Sequence, residues 1–190
     1  MKSKIHEHLF SQLSVGSKKA LILCLLAPLM ALNFSCKKDE PIEFDLDYST
    51  SLPVPASSYT ANVPVEFLTP EIPTESAGKF KSAKTTQELI SEIKMTRFNI
   101  TAPEGNLDGL KNISIYLKSS GLGDVLIAKK DSIPPGTTST TADLMDVNIK
   151  QYVFNDKIQF KVGLTLTSGS ADARQFKMDQ TLHVKAKLIK

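Results

Sequence analysis

The sequence predicts an all-β protein: an antiparallel, immunoglobulin-like sandwich of about seven strands with one or two short helices, preceded by a signal peptide. Three observations predict it. Apolar residues recur at every second position in several stretches, most clearly at Ile158, Phe160, Val162, Leu164 and Leu166; this is the period of a strand with one face in a core. Clusters of Gly, Pro, Asn, Asp and Ser separate these stretches at the short intervals typical of sandwich strands. The chain of 190 residues is 41% hydrophobic and 23% charged, which suits one folded domain plus a targeting segment. A Cys pair and a core Trp are both absent from the folded part, so the likeness to an immunoglobulin domain is one of architecture.

The first strand follows from Ile42, Phe44, Leu46 and Tyr48 alternating with Glu43, Asp45 and Asp47. Residues 49–79 hold Pro53, Pro55, Pro64, Pro70 and Pro73, and proline removes ladder donors, so a strand there is an edge strand; Val63, Val65 and Phe67 support one. The segment is otherwise extended, and the sandwich starts either at about residue 41 or, without this segment, near 80. Thr85 and Glu88 have the spacing of a capping box, predicting a short helix over roughly residues 86–92. A strand over 95–101 and a turn at 103–106 follow.

Ile113, Ile115 and Leu117 share the face of the next strand, and 125–128 reads as a short buried one. Residues 131–141, with Pro134, Pro135 and Gly136, are a loop. Asp143 or Asp146 can cap one or two helical turns ahead of the strand at 158–166. A loop at 168–173 precedes a last strand with Phe176, Met178, Leu182, Val184, Ala186 and Leu188 on one face, interrupted by Gln180.

Lys18 and Lys19 precede thirteen apolar residues, 20–32. As a helix these cover about 20 Å, short of a bilayer core of roughly 30 Å. A positive flank before a short apolar run is the pattern of a secretory signal peptide. The run ends in Asn33-Phe34-Ser35-Cys36, followed by Lys37-Lys38-Asp39-Glu40. Here the chain resembles bacterial lipoproteins, and more closely those of the Bacteroidetes group. The resemblance implies cleavage between Ser35 and Cys36, a diacylglycerol on the Cys36 thiol, and acylation (typically palmitate) of the new amino terminus. Asn33 and Phe34 depart from the usual Leu-then-small pair. Lys38, Asp39 and Glu40 resemble the Lys-plus-two-acids signal for surface display in that group.

The location implied is the outer membrane, lipid-anchored, at the cell surface or the periplasmic face. Two or three acyl chains give stable attachment where one does not. The organisation expected is then a signal peptide over 1–35, a short tether over 36–41 and the sandwich over 42–190. From about residue 85 onward the chain also resembles small β-sandwich lipoproteins of the same group, through its short helix before a long strand and the run Asn112-Ile113-Ser114-Ile115-Tyr116-Leu117.

The formal charge of +3 belongs to the whole chain. Lys2, Lys4, Lys18, Lys19 and Glu7 precede Cys36, so the remainder carries 19 basic and 19 acidic residues. No global charge draws it to nucleic acid. The distribution is uneven: residues 36–78 are acidic by six charges and 79–190 basic by six. Either the two parts pack together, or a basic face stays open for an acidic partner.

Reactive constellations are sparse. Cys24 lies in the apolar run, which leaves Cys36 alone, without a disulfide or thiolate metal site. No cofactor and no metal are expected beyond the covalent lipid. His6 and His8 precede Cys36, so His183 alone remains; on the face opposite Leu182 and Val184 it is expected in solvent. No G-x-S-x-G or Walker pattern appears. Asp45 with Asp47, and Asp143 with Asp146, read as a solvated strand face and helix caps rather than a glycosidase pair. Asp131-Ser132-Ile133 resembles the Bacteroidetes O-glycosylation motif, making Ser132 a candidate for a glycan. The expected function is a non-catalytic envelope binding or structural module with an envelope protein partner. A sandwich that binds lipid or glycan is the alternative, and a hydrolase using His183 the weaker one.

Overall fold

The computed structural model describes residues 41–168 and 170–189. Among them, twelve strands, two short α-helices and one 3₁₀ turn follow in the order β1 (Pro41–Val54), β2 (Ser57–Ser58), β3 (Pro64–Leu68), β4 (Ile72–Pro73), α1 (Ser76–Ser82), the 3₁₀ turn Gln87–Leu89, β5 (Ile90–Thr101), β6 (Leu110–Lys118), β7 (Val125–Lys130), β8 (Ser139–Thr141), β9 (Asp143–Leu144), α2 (Lys150–Val153), β10 (Lys157–Leu166), β11 (Ser170–Ala171) and β12 (Arg174–Lys187). One sheet has the order β1-β12-β5-β8; the other has β3-β10-β6-β7-β9, with β4 also on β10; β2 and β11 form a separate ribbon. Every pairing is antiparallel. The fold is an all-β sandwich. The Pro-rich segment belongs to it: β1 runs on through Pro53, and β3 lies at the edge of the second sheet, as its prolines require.

The core forms where the alternating apolar faces meet. Leu46, Leu52, Ile93, Phe98, Met178, Leu182 and Val184 of the first sheet are buried, as are Ile113, Ile115, Leu117, Phe160, Val162 and Leu164 of the second. Phe98 meets Phe160 edge-on across the gap, with ring centroids 5.4 Å apart, a geometry favoured by the ring quadrupoles.

The parity of β5 explains its shape. Its buried residues are Ile90, Ile93, Met95, Phe98 and Ile100, so strict alternation fails twice. The register against β12 shifts at both places, opposite Thr181/Leu182 and Lys185/Ala186. A bulge inserts one residue and restores the inward face. Shifts between β10 and β6, and between β6 and β7, do the same for Leu110 and Ile127.

The helices differ from the sequence expectation. Instead of a helix over 86–92, there is one 3₁₀ turn, and β5 begins at Ile90. The capping box does not form, because the Thr85 hydroxyl donates to the carbonyl of Lys187 at 2.6 Å. Asp143 caps nothing: it lies in β9 and pairs with Lys130, while Asp146 pairs with Lys94 at 2.6 Å. Helix α2 starts later, after the buried Ile149.

Helix α1 was hidden among prolines and has no side-chain cap. Seven residues are too few for intrinsic helix stability. Burial of Phe80 supplies it, with the ring edge-on to Phe44 of β1 and to Phe154 after α2.

Gln180 breaks the apolar face of β12. It is 1% exposed, and both its amide oxygen and nitrogen are buried without a hydrogen-bond partner among the described residues. Leaving such groups unpaired costs about 1–3 kcal/mol each. Gln180→Met, which keeps length and removes the polar atoms, should therefore stabilise the domain by at least about 1 kcal/mol. Urea unfolding monitored by circular dichroism checks this; a lower midpoint for the variant would refute it.

Candidate functional site

The outer face of the first sheet gathers charge. Glu43, Asp45 and Asp47 stand at alternate positions of β1, and the register sets them opposite Lys185, His183 and Thr181 of β12. Asp45 Oδ1 lies 2.8 Å from His183 Nδ1, and Glu43 Oε2 lies 3.4 Å from Nε2. The Thr181 hydroxyl donates to Asp47 at 2.6 Å, and Arg97 of β5 lies 3.6 Å from the same carboxylate.

His183 is thus half-buried rather than free in solvent, because the register places one carboxylate beside each ring nitrogen. A hydrolytic dyad needs one nitrogen bound to a carboxylate and the other aimed at a nucleophile. Here both nitrogens face carboxylates on an open sheet face, and among the described residues no hydroxyl bonds to the ring. The arrangement ties β1 to β12.

Acidic and basic parts of the chain meet elsewhere too. Glu66 pairs with Lys161, and Glu71 with Lys157, across the edge of the second sheet. Lys161 also reaches Asp124 at 2.9 Å, and this bond, with Lys118 nearby, holds the Asp124 carboxyl below its ordinary range. The charge asymmetry of the sequence is therefore largely spent on packing.

The two ends of the sandwich differ in their clefts. At the end away from the start of β1, a cleft of about 840 Å³ lies among Pro53, Pro55, Pro103, Glu104, Arg174 and Phe176. The loop with Ser132 belongs to this end. Ser132 is exposed, and the loop is fixed by Gly136 N–H donating to Asp108 Oδ1 at 2.6 Å. Near the start of β1, a cleft of about 640 Å³ runs between Phe44–Asp47 and Glu75, which precedes α1, with Gly78, Lys79 and Ser82 of α1.

Beneath this second cleft, Tyr48 donates to the Thr74 carbonyl at 2.9 Å while the Lys79 ammonium sits 3.9 Å over its ring. Burial, helped by the negative charge of Glu75, pushes the Tyr48 phenol up to about 12, and burial lowers Lys79.

Ser35, Cys36, Lys38, Asp39 and Glu40 lie outside the described residues, as do Cys24, His6 and His8. Among the described residues, no group of three or more His, Cys, Asp or Glu side chains could hold a metal ion, and no helix is long and apolar enough to cross a membrane. Asn99 and Asn112, which begin Asn-x-Thr/Ser triplets, stand within β5 and β6.

No family model and no curated protein matches the chain. Solved structures that align with the chain include viral ones. The infectious bursal disease virus Gx strain structure aligns with a TM-score of 0.43 and 13% identity over 78% of this chain and 32% of that one. The Gt strain structure gives 0.37 and 10% over 82% of this chain and 35% of that one. Desmodium yellow mottle tymovirus gives 0.27 and 6% over 80% and 92%, respectively. The chain thus spans about a third of the length of the bursal disease virus chains.

Because the folded-state value of Tyr48 is raised, its contribution to stability is complete below its ordinary value of 10.0 and disappears as pH rises toward about 12. An ultraviolet absorbance titration should show a late-ionising tyrosine that is missing from Tyr48→Phe. The variant's unfolding free energy should fall less steeply over this alkaline range; equal slopes would disprove the assignment.

Proposed function

We propose that the mature protein is a lipoprotein held to the outer membrane by acyl chains on Cys36, serving as a non-catalytic binding or structural module of the cell envelope. The observation that carries this reading is the order of the sequence: a positive flank, thirteen apolar residues, Ser35-Cys36, and a strand that starts at Pro41. The buried apolar residues of the sandwich run from Leu46 to Ala186, so a cut before Cys36 costs it none of them.

A second reading places a small ligand, such as a glycan, in the 840 Å³ cleft. Its proline and phenylalanine walls flank Arg174 and Glu104, the mixture of apolar surface and few polar groups that ligand sites use. Arg174 is already positioned, donating to the Asp108 carbonyl at 2.7 Å. The Ser132 glycan also belongs to this proposal, supported by the exposure of Ser132 at a loop start.

Cells fed radiolabelled palmitate should incorporate it into the protein, and Cys36→Ser should abolish both the label and membrane retention. Label that persists in the variant would remove the anchor from Cys36. Intact-mass measurement of the native protein should show a glycan increment that Ser132→Ala lacks; identical residual masses would reject that modification.

A further inference from the structure

At the end of the domain where β1 begins, Pro41 pairs with Lys187 of β12. The Thr85 hydroxyl binds the Lys187 carbonyl, and Ile189 N–H donates to the Lys84 carbonyl at 2.9 Å. Lys84 N–H in turn donates to the Lys81 carbonyl at 3.0 Å. On the neighbouring strand, Lys150 Nζ donates to the Ser91 carbonyl at 3.3 Å, and Ser91 Oγ to the Lys185 carbonyl at 3.0 Å. Lys81, Lys84, Lys150 and Lys187 therefore ring one end of the sandwich, together with Leu188 and Ile189, which are 41% and 51% exposed.

These lysines differ from most others. Lys94, Lys118, Lys129, Lys130, Lys157, Lys161, Lys177 and Lys185 each form an ion pair. None of the four at this end does so with a described residue. Nearby carboxylates are already engaged: Glu92 by Lys94 and Lys185, and Glu43 by His183. Glu75 before α1, Glu88 on the 3₁₀ turn and Asp156 after α2 are exposed acids of this region. Lysines without an ion pair among the described residues thus surround an exposed apolar pair.

Covalent geometry says what this end faces. Only residues 37–40 separate Cys36 from Pro41, and even fully extended they span at most about 18 Å between the two. We propose, resting on the lipid anchor at Cys36, that this end is a membrane-contacting surface. The four lysines meet anionic headgroups, and Leu188 and Ile189 enter the interfacial layer. The 840 Å³ cleft and the Ser132 loop then point away from the bilayer. Basic clusters beside an anchor bind anionic lipid in this way, and paired charge does not.

The test uses the acyl-free chain from residue 37, whose sandwich carries its own core. It is mixed with phosphatidylcholine vesicles, with or without phosphatidylglycerol, and bound protein is measured by sedimentation. Binding should be at least about tenfold stronger with phosphatidylglycerol and should fall as salt rises. Lys84→Glu/Lys187→Glu should weaken it at least about tenfold, whereas Lys111→Glu/Lys129→Glu, an equal charge change at the other end, should not. Leu188→Ser/Ile189→Ser should weaken binding while leaving the unfolding midpoint unchanged. Equal binding to both vesicle types, equal loss from both charge reversals, or a dimer that shelters Leu188 and Ile189 would overturn the proposal. Palmitate labelling separates the two readings: label without vesicle preference rejects only this surface, and vesicle preference without label rejects only the anchor.

Discussion

Fourteen consecutive residue pairs, from Pro41↔Lys187 to Val54↔Arg174, join the first long strand to the last. The rest of the structure depends on this ladder. It brings the apolar faces of β1 and β12 into one layer, which β5 and then β8 extend. It also supplies the wall against which Phe80 packs through Phe44, and so keeps α1 in place. The cost is entropic, since residues far apart in sequence must be held together before the interior can reward them. Burial of side chains such as Leu52, Leu182 and Val184 offsets that cost.

The charges follow the same logic. An acidic amino-terminal part could have been left as a field for a partner, but most of it is used at strand boundaries: Asp45 and Glu43 on His183, Asp47 on Thr181 and Arg97, Glu66 on Lys161 and Glu71 on Lys157. Such exposed pairs contribute little to stability individually, typically less than about 1 kcal/mol. Their value is in register, because a slip by one residue would turn the β1 carboxylates into the core.

Strands with unbroken parity were legible in the sequence. The alternation of Ile158, Phe160, Val162, Leu164 and Leu166 maps onto β10, and that of Ile113, Ile115 and Leu117 onto β6. Where Thr85 and Glu88 mimic a capping box the spacing misled, so Ile90 read as helix although it opens β5. Helix α1 was invisible because its stability comes from tertiary burial of Phe80 rather than from caps or propensity. The surroundings of His183 were equally unreadable: Asp45 lies 138 residues away, and only the register of β1 on β12 makes them neighbours. Ser132 could be placed in a loop from its prolines and glycine alone, whereas the sequence carried no sign of the cleft formed by Pro53, Pro103 and Phe176.

Strand β1 also ends its sheet, and a border strand of this length offers a row of backbone groups to any extended chain that approaches. Its composition works against that. Pro41 and Pro53 remove donors near either extremity, and Glu43, Asp45 and Asp47 line one side with like charge. Two copies meeting along this border would set carboxylate rows against each other. The composition of this border therefore disfavours edge-to-edge growth through β1, the hazard that an open sheet otherwise carries.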